Sequence, residues 1–200
     1  VMPRGIDCGV YRPENRDAMF WEMFGANGQM KFLYVGRVSK EKDLDILVEA
    51  FSRIRRDHPD VVLSIVGDGP YLSELKQALP KGSTVFTGFL SDEALRKAYA
   101  SADVFVFPST TDTFGNVVLE AQASGLPAIV SDQGGPKEQV IDGKTGFVTK
   151  AKDAESLYAA MKKLVEEPEL RKRMGKEARE AMKARSWEKA FQTFWSDSQR

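Results

Sequence analysis

The sequence predicts an α/β fold: a Rossmann-like, doubly wound parallel sheet of about six strands with helices on both faces. Three observations predict it. Six short apolar runs alternate with longer segments of helical periodicity. Most of these runs are apolar on both parities, which suits strands covered on both faces. Several of the runs stop abruptly at glycine or proline. A βαβα alternation implies right-handed crossovers that wind the chain onto both sides of one open sheet.

The first strand is Phe32-Leu33-Tyr34-Val35, ending at Gly36. A helix follows in which Leu47, Phe51 and Ile54 share one face at i, i+4, i+7 spacing. Val61 to Val66 is the second strand, closed by Gly67, and Leu72, Leu75 and Leu79 mark the helix after the Gly69-Pro70 turn. Thr84 to Thr87 ends at Gly88. Ser91 can then cap a helix carrying Leu95, Ala98 and Tyr99. Asp103 to Phe107 ends at Pro108, and the helix Val117–Ser124 is stopped by Gly125. Ala128-Ile129-Val130 and Phe147-Val148 complete the strands. Leu157, Met161, Leu164 and Val165 form an amphipathic helix, and Leu170–Arg185 is a second with a charged outer face carrying i,i+4 pairs. Residues 1–14, with Pro3, Gly5, Gly9 and Pro13, read as a linker, and residues 15–186 as the folded domain. Residues 187–200 carry Trp187, Phe191, Phe194 and Trp195, an aromatic surface that needs something to pack on.

Composition narrows the function. With 200 residues, 42% hydrophobic and 29% charged, the chain is an ordinary globular domain. Twenty-nine basic and 29 acidic residues leave a formal net charge of zero, without the basic surplus of a nucleic-acid binder. Cys8 is the one cysteine, so no internal disulfide forms, and with the single His58 it cannot complete a four-ligand zinc site. A Ser-His-Asp triad would have to use His58, which sits in a polar Arg-Asp-His-Pro-Asp turn and reads as structural. No apolar run approaches the roughly 18 residues of a transmembrane segment. No charged and then apolar leader opens the chain, so a cytoplasmic location is the expectation. Val1 stands where an initiator Met would, and the opening residues read like a strand end entering a turn. A piece of a longer protein is therefore expected.

In an open parallel sheet, ligands bind outside the carboxyl ends of the strands. The residues to watch are therefore Gly36-Arg37, Gly67-Asp68-Gly69, Gly88-Phe89, Pro108 to Gly115 and Ser131 to Gly135, where several glycines are expected to let backbone approach a ligand. Two phosphate motifs there fail. Gly67-Asp68-Gly69 lacks the third glycine of G-x-G-x-x-G, because Leu72 occupies that position, and Asp68 reads as stabilising its Gly-flanked turn. Gly143-Lys144-Thr145 resembles the end of a P-loop, but Glu138 stands where the first glycine belongs. Asp43-Leu44-Asp45 has the spacing of a metal-binding D-x-D, yet it opens a helix, where acids favour the dipole.

The stretch from Pro108 to Ala121 is more informative. A loop leaves the fourth strand, turns at Gly115 and enters a helix whose free N–H groups suit a diphosphate. Asp112 precedes that helix and Glu120 lies inside it, so their carboxylates can accept from sugar hydroxyls on either side of the anion. Taken alone, Asp112 is a helix-start carboxylate and Glu120 is solvated helix surface. Together with Phe114-Gly115 they read as a site. Arg37 and Lys42 follow the first strand and can neutralise phosphates.

Gly36-Arg37, Lys42, Gly67-Asp68-Gly69, Pro108-Ser109 and the Asp112, Phe114-Gly115, Glu120-Ala121 block resemble one half of a known family. It is the nucleotide-sugar-binding, C-terminal half of retaining glycosyltransferases of family 4 (group 1). The resemblance implies the GT-B fold, in which two Rossmann-like domains face each other across a cleft. It implies that Arg37 and Lys42 grip the donor diphosphate and that Asp112, the first carboxylate of the family's E-x7-E motif, contacts the transferred sugar. These three would be the catalytic set, with Glu120, the second carboxylate, on the ribose. Gly36 and the backbone N–H groups of Phe114, Gly115, Asn116 and Val117 would meet the sugar and phosphates. Thr87, Gly88 and Phe89 would lie beside the base. The implied donor is a nucleoside-diphosphate sugar, UDP- or GDP-linked, used with no metal or other cofactor. The implied partner is an N-terminal acceptor-binding domain, toward which the aromatic tail would return and through which the inner face of a membrane could be met. Without that domain little turnover is expected. Asp112 departs from the family's usual Glu by one methylene, and Asp43 stands where many members have Gly. Two alternatives stay open: a nucleotide-sugar epimerase or hydrolase of the same two-domain fold, and a non-catalytic nucleotide-sugar-binding module.

Overall fold

The computed structural model describes residues 5–26 and 30–185. The expected aromatic helix at 187–200 lies outside the described residues. Six strands form one parallel sheet: β1 (Met30–Val35), β2 (Val61–Val66), β3 (Thr84–Gly88), β4 (Val104–Phe107), β5 (Ala128–Ser131) and β6 (Gly146–Thr149), in the order β3-β2-β1-β4-β5-β6. Phe32 and Leu33 point to opposite faces of β1 and both are fully buried, so the sheet is covered on both sides. The helices are α1 (Leu44–Asp57), α2 (Leu72–Ala78), α3 (Asp92–Ala100), α4 (Asn116–Ala123), α5 (Ala154–Glu166) and α6 (Pro168–Lys183). α1 packs on α2 and α5, while α4 packs on α3 and α6, which makes the two layers.

Among the described residues the expected strands and helices are present, with shifts at their ends. β4 begins at Val104 because the Asp103 carboxylate turns aside to accept the Lys31 N–H at 2.8 Å. Ser91 caps α3 by accepting the Ala94 N–H. Pro168 divides α5 from α6, since a proline is tolerated only in the first turn of a helix. Within α6 the pairs Lys172–Glu169 and Lys183–Glu180 are at i,i+3, while Glu166, just before it, makes an i,i+4 pair with Lys162. Short 3-10 turns at Pro13–Asn15, Glu22–Phe24, Lys40–Lys42 and Pro136–Gln139 went unread, being too short to show a period.

The winding reverses between β1 and β4, the two strands at the centre of the sheet. Their loops diverge to opposite sides and open a crevice at the strands' carboxyl ends. The glycines after β2 were expected to let backbone approach a ligand. They instead let two backbones approach each other. A Cβ on Gly67 would stand 2.0 Å from the Gly36 carbonyl oxygen, and one on Gly69 would stand 2.2 Å from that of Val38. Asp68 completes the turn by accepting the Gly69 N–H, as its reading as a turn residue implies.

Residues 5–14 lie along α4 and α6. Ile6 is buried with Leu119, Ala123 and Met182, and its N–H donates to the Arg185 carbonyl. Arg179 on α6 ties this segment down by donating to the carbonyls of Cys8 (2.9 Å), Tyr11 (2.8 Å) and Ala123 (2.6 Å). A guanidinium's fixed fork suits three carbonyls at once. Alanine at Arg179 is expected to cost about 2–3 kcal/mol, since hydrogen bonds to charged groups are individually worth about 1.5–3 kcal/mol. The melting temperature should then fall by about 4–12 °C. A fall under 2 °C by differential scanning calorimetry would mean that the segment is held by Ile6 instead.

Candidate functional site

The site grows from the loops after β1 and β4. The β1 loop makes a 3-10 turn, Lys40–Lys42, and reaches α1 through Asp43, which takes a left-handed conformation with φ 54°. Glycine is the easy residue there, and aspartate is among the few others that tolerate it. Asp43 adds something glycine cannot. Its Oδ2 accepts the Thr110 N–H at 2.8 Å and the Thr110 hydroxyl at 2.7 Å, and Thr111 donates to the Glu41 carbonyl at 3.0 Å. The two loops that flank the crevice are thereby joined. The start of α1 is undisturbed, and the Asp43/Asp45 pair is not a pair at all, because Asp45 accepts instead from the Tyr71 hydroxyl.

Lys42 lies across from Asp112. Its Nζ is 3.3 Å from Asp112 Oδ2, with the two side chains 17% and 26% exposed. The other carboxylate oxygen, Oδ1, accepts the N–H groups of Phe114 (3.2 Å) and Gly115 (2.8 Å). Asp112 is thus folded back onto its own loop, which its short side chain permits. The reading of it as a helix-start carboxylate describes this geometry, and its expected contact with the sugar would require it to turn outward. Of the four N–H groups expected to face the donor, those of Phe114 and Gly115 are turned to Asp112. Those of Asn116 and Val117 open α4, where the helix itself supplies no acceptor and its dipole favours an anion.

Gly115 turns the chain into α4 at φ 83° with Pro136 packed against it. The loop after β5 backs this turn. Gly135 donates to the Asp112 carbonyl at 2.9 Å, and Gln139 donates to the Phe114 carbonyl at 3.3 Å. Gln122 on α4 in turn donates to the Gln139 carbonyl at 2.7 Å.

Arg37 is exposed at the lip of the crevice beside Gly36. Buried Tyr34 stacks on Phe107 with ring centroids 5.7 Å apart and donates its hydroxyl to the Arg37 carbonyl at 2.9 Å. At the end of β3, Thr87 donates to the Gly88 carbonyl, and Phe89 presents its ring to solvent, 81% exposed. Glu120 stands four residues into α4, on the same face as Asn116. It is half-buried rather than solvated. Its Oε2 accepts from the Tyr99 hydroxyl at 2.8 Å, and Tyr11 lines the same cavity, edge-on to the Tyr99 ring. Burial pushes the Glu120 pKa up, and the Tyr99 and Tyr11 hydroxyls act partly against that. Asp7, Tyr11, Asn116 and Glu120, with Ile6 and Leu119, line a cavity of about 390 Å³.

Sequence reasoning missed Tyr34, Tyr99 and Tyr11. The first two read as core positions, and only their hydroxyl oxygens hint at more. Tyr11 read as part of a linker. His58 sits at the other end of the sheet, at the end of α1 and 3.6 Å from Glu166, away from this site.

A basic lip, an open helix N-terminus and a carboxylate within that helix are what a phosphate-bearing nucleoside would meet. The model of the family described as "Glycosyl transferases group 1" matches residues 15–181. A GDP-mannose-dependent alpha-mannosyltransferase of Mycolicibacterium smegmatis is 38% identical over 92% of this chain and 47% of its own length. A sulfoquinovosyl transferase of Arabidopsis thaliana is 35% identical over 94% of this chain and 37% of its own. The structure of a sucrose-phosphate synthase from Thermosynechococcus elongatus superposes with a TM-score of 0.83 at 29% identity, over 99% of this chain and 51% of that one. The chain therefore spans under half the length of these two curated relatives. With a family match running from the segment before β1 almost to the end of α6, over every loop that builds the crevice, the chain belongs to the group 1 glycosyltransferases.

Proposed function

We propose that this chain is the donor-binding domain of a retaining glycosyltransferase. It would bind a nucleoside-diphosphate sugar, and transfer would require an N-terminal acceptor domain that faces it across the crevice. The observation that carries this reading is the placement of Lys42 beside the N-terminus of α4, with Glu120 one turn further into the same helix. The diphosphate would lie between Lys42, Arg37 and the Asn116 and Val117 N–H groups, with its ribose against Glu120. Catalysis is then electrostatic. These groups stabilise negative charge as it develops on the leaving diphosphate, the part a metal plays in other phosphate chemistry. Phe89 offers an apolar face to the base. The GDP-mannose dependence of the mycobacterial relative puts GDP first among the nucleotides to try, with UDP next.

Thermal melting of the chain with GDP, UDP and ADP tests the reading. Ligand at ten times its dissociation constant adds about 1.4 kcal/mol, a shift of roughly 3–6 °C. One nucleotide should give that shift, and Glu120→Ala should reduce it to under 1 °C. Equal shifts in wild type and variant would remove Glu120 from the site. Sugar transfer from a radiolabelled donor by residues 1–200 alone would remove the need for an acceptor domain. With the full-length protein, a new glycosidic bond in the product supports transfer, whereas free or isomerised sugar would mean a hydrolase or epimerase.

A further inference from the structure

We propose that Tyr99 is a positioning residue for Glu120, that Tyr11 buttresses it, and that through Tyr11 the segment before β1 takes part in recognising the donor's ribose. The proposal rests on the donor-site reading above, in which Glu120 meets the ribose. The two tyrosines come from unrelated parts of the chain. Tyr99 lies on α3, wholly buried and in tilted contact with Phe105 at a centroid distance of 5.9 Å. Its hydroxyl reaches Glu120 Oε2 at 2.8 Å. A buried hydroxyl needs a partner, so Tyr99 and Glu120 hold each other in one orientation. Tyr11 lies in the segment pinned by Arg179 and meets the Tyr99 ring edge-on, at a centroid distance of 5.9 Å and an interplanar angle of 78°. It lines the same cavity as Glu120.

A carboxylate that chelates two vicinal ribose hydroxyls must keep acceptor lone pairs pointed at them. A glutamate on an exposed helix turn has three rotatable bonds, and ordering it on binding costs affinity. The Tyr99 hydroxyl removes part of that freedom beforehand, and the Tyr11 ring braces Tyr99 from behind. Tyr99 engages one oxygen of the carboxyl and leaves the other for the ligand. Because Tyr11 shares its segment with Ile6 and Asp7, which line the same cavity, a displacement of residues 5–11 loosens Glu120. The placement of that segment and the grip on the ribose are therefore coupled.

The test uses the chain itself and two probes: the nucleoside diphosphate that binds, and its 2′,3′-dideoxy counterpart, each titrated calorimetrically. Wild type is expected to prefer the ribo form by about tenfold, the equivalent of one good hydrogen-bonded contact of about 1.4 kcal/mol. Tyr99→Phe, which removes the hydroxyl, and Tyr11→Ala, which removes the ring that braces it, should each shrink that preference to threefold or less while leaving the dideoxy affinity within twofold. General loosening of the fold would weaken both probes alike, so a parallel loss overturns the positioning role. So does a tenfold preference that survives both substitutions. In a Glu120→Gln background, Tyr99→Phe should change the preference no further; an additional loss there would mean that Tyr99 acts independently of Glu120. A wild type that binds both probes equally overturns the assignment of Glu120 to the ribose, and the proposal with it. Binding of neither probe overturns the donor-site reading as a whole.

Discussion

Alanine at Lys42 is expected to lower sugar transfer by the full-length protein by about 10²–10³-fold, the usual consequence of removing one group aimed at developing charge in a site sheltered from water. The ammonium sits beside the N-terminus of α4, where the proposed diphosphate would lie, and is less than one-fifth exposed. Water therefore screens it poorly. Its removal acts twice. It deletes the cation, and it leaves the Asp112 carboxylate without its countercharge, facing an incoming diphosphate. The loss should appear chiefly in kcat at saturating donor, because charge on the leaving group grows toward the transition state. The fold should hardly notice. A pair of this partial exposure is worth about 0–1 kcal/mol, so the melting temperature should stay within about 4 °C of wild type. Lys42→Arg keeps the charge with a different shape and should recover part of the rate. An alanine variant within threefold of wild type would reduce Lys42 to a mere partner of Asp112.

The contrast between Lys42 and Asp112 shows how far a sequence reaches. Strands such as Phe32–Val35 were legible because burial on both faces imposes apolar residues on both parities. The position of Lys42 after β1 and of Glu120 within α4 followed from strand ends and helix spacing. Which way a side chain turns did not. Asp112 could have pointed at the crevice, but one methylene less than Glu lets it satisfy Phe114 and Gly115 within its own loop. Nothing in the linear order separates those outcomes. Likewise Asp43 pairs with Thr110, 67 positions away, and Arg179 with the Tyr11 carbonyl, 168 positions away. Such long-range polar pairs carry no period. Glu120 read as solvated surface when considered alone, because the covering tyrosines come from α3 and from the segment before β1. The glycines after β2 were recognised as close-approach residues, but their neighbour was taken to be a ligand.

Alanine at Gly67 therefore tests that correction, and it is expected to be among the most destabilising single substitutions in the chain. The Gly67 backbone has φ 125°, a conformation L-residues avoid. Its N–H donates to the Gly88 carbonyl at 2.9 Å, and its α-carbon faces the Gly36 carbonyl. A methyl group would land 2.0 Å from that oxygen. Neither neighbour is a flexible side chain that could swing away. To make room, the chain must pull the end of β2 from β1 or give up the bond to β3. Strain of about 1–3 kcal/mol adds to overpacking of about 1–3 kcal/mol, so a loss of roughly 2–6 kcal/mol and a fall of roughly 4–24 °C are expected. Gly82→Ala separates the two contributions. It also has positive φ, at 75°, but a methyl group there meets nothing within 4 Å. Strain alone should then cost about 1–2 kcal/mol. If the two variants melt alike, close packing is not what Gly67 provides, and approach of a ligand would again explain the residue. If Gly67→Ala melts far lower, the carbonyl of Gly36 is the neighbour that excludes a side chain. Arg37, one residue along, is then held at the lip of the site by backbone packing rather than by any ligand.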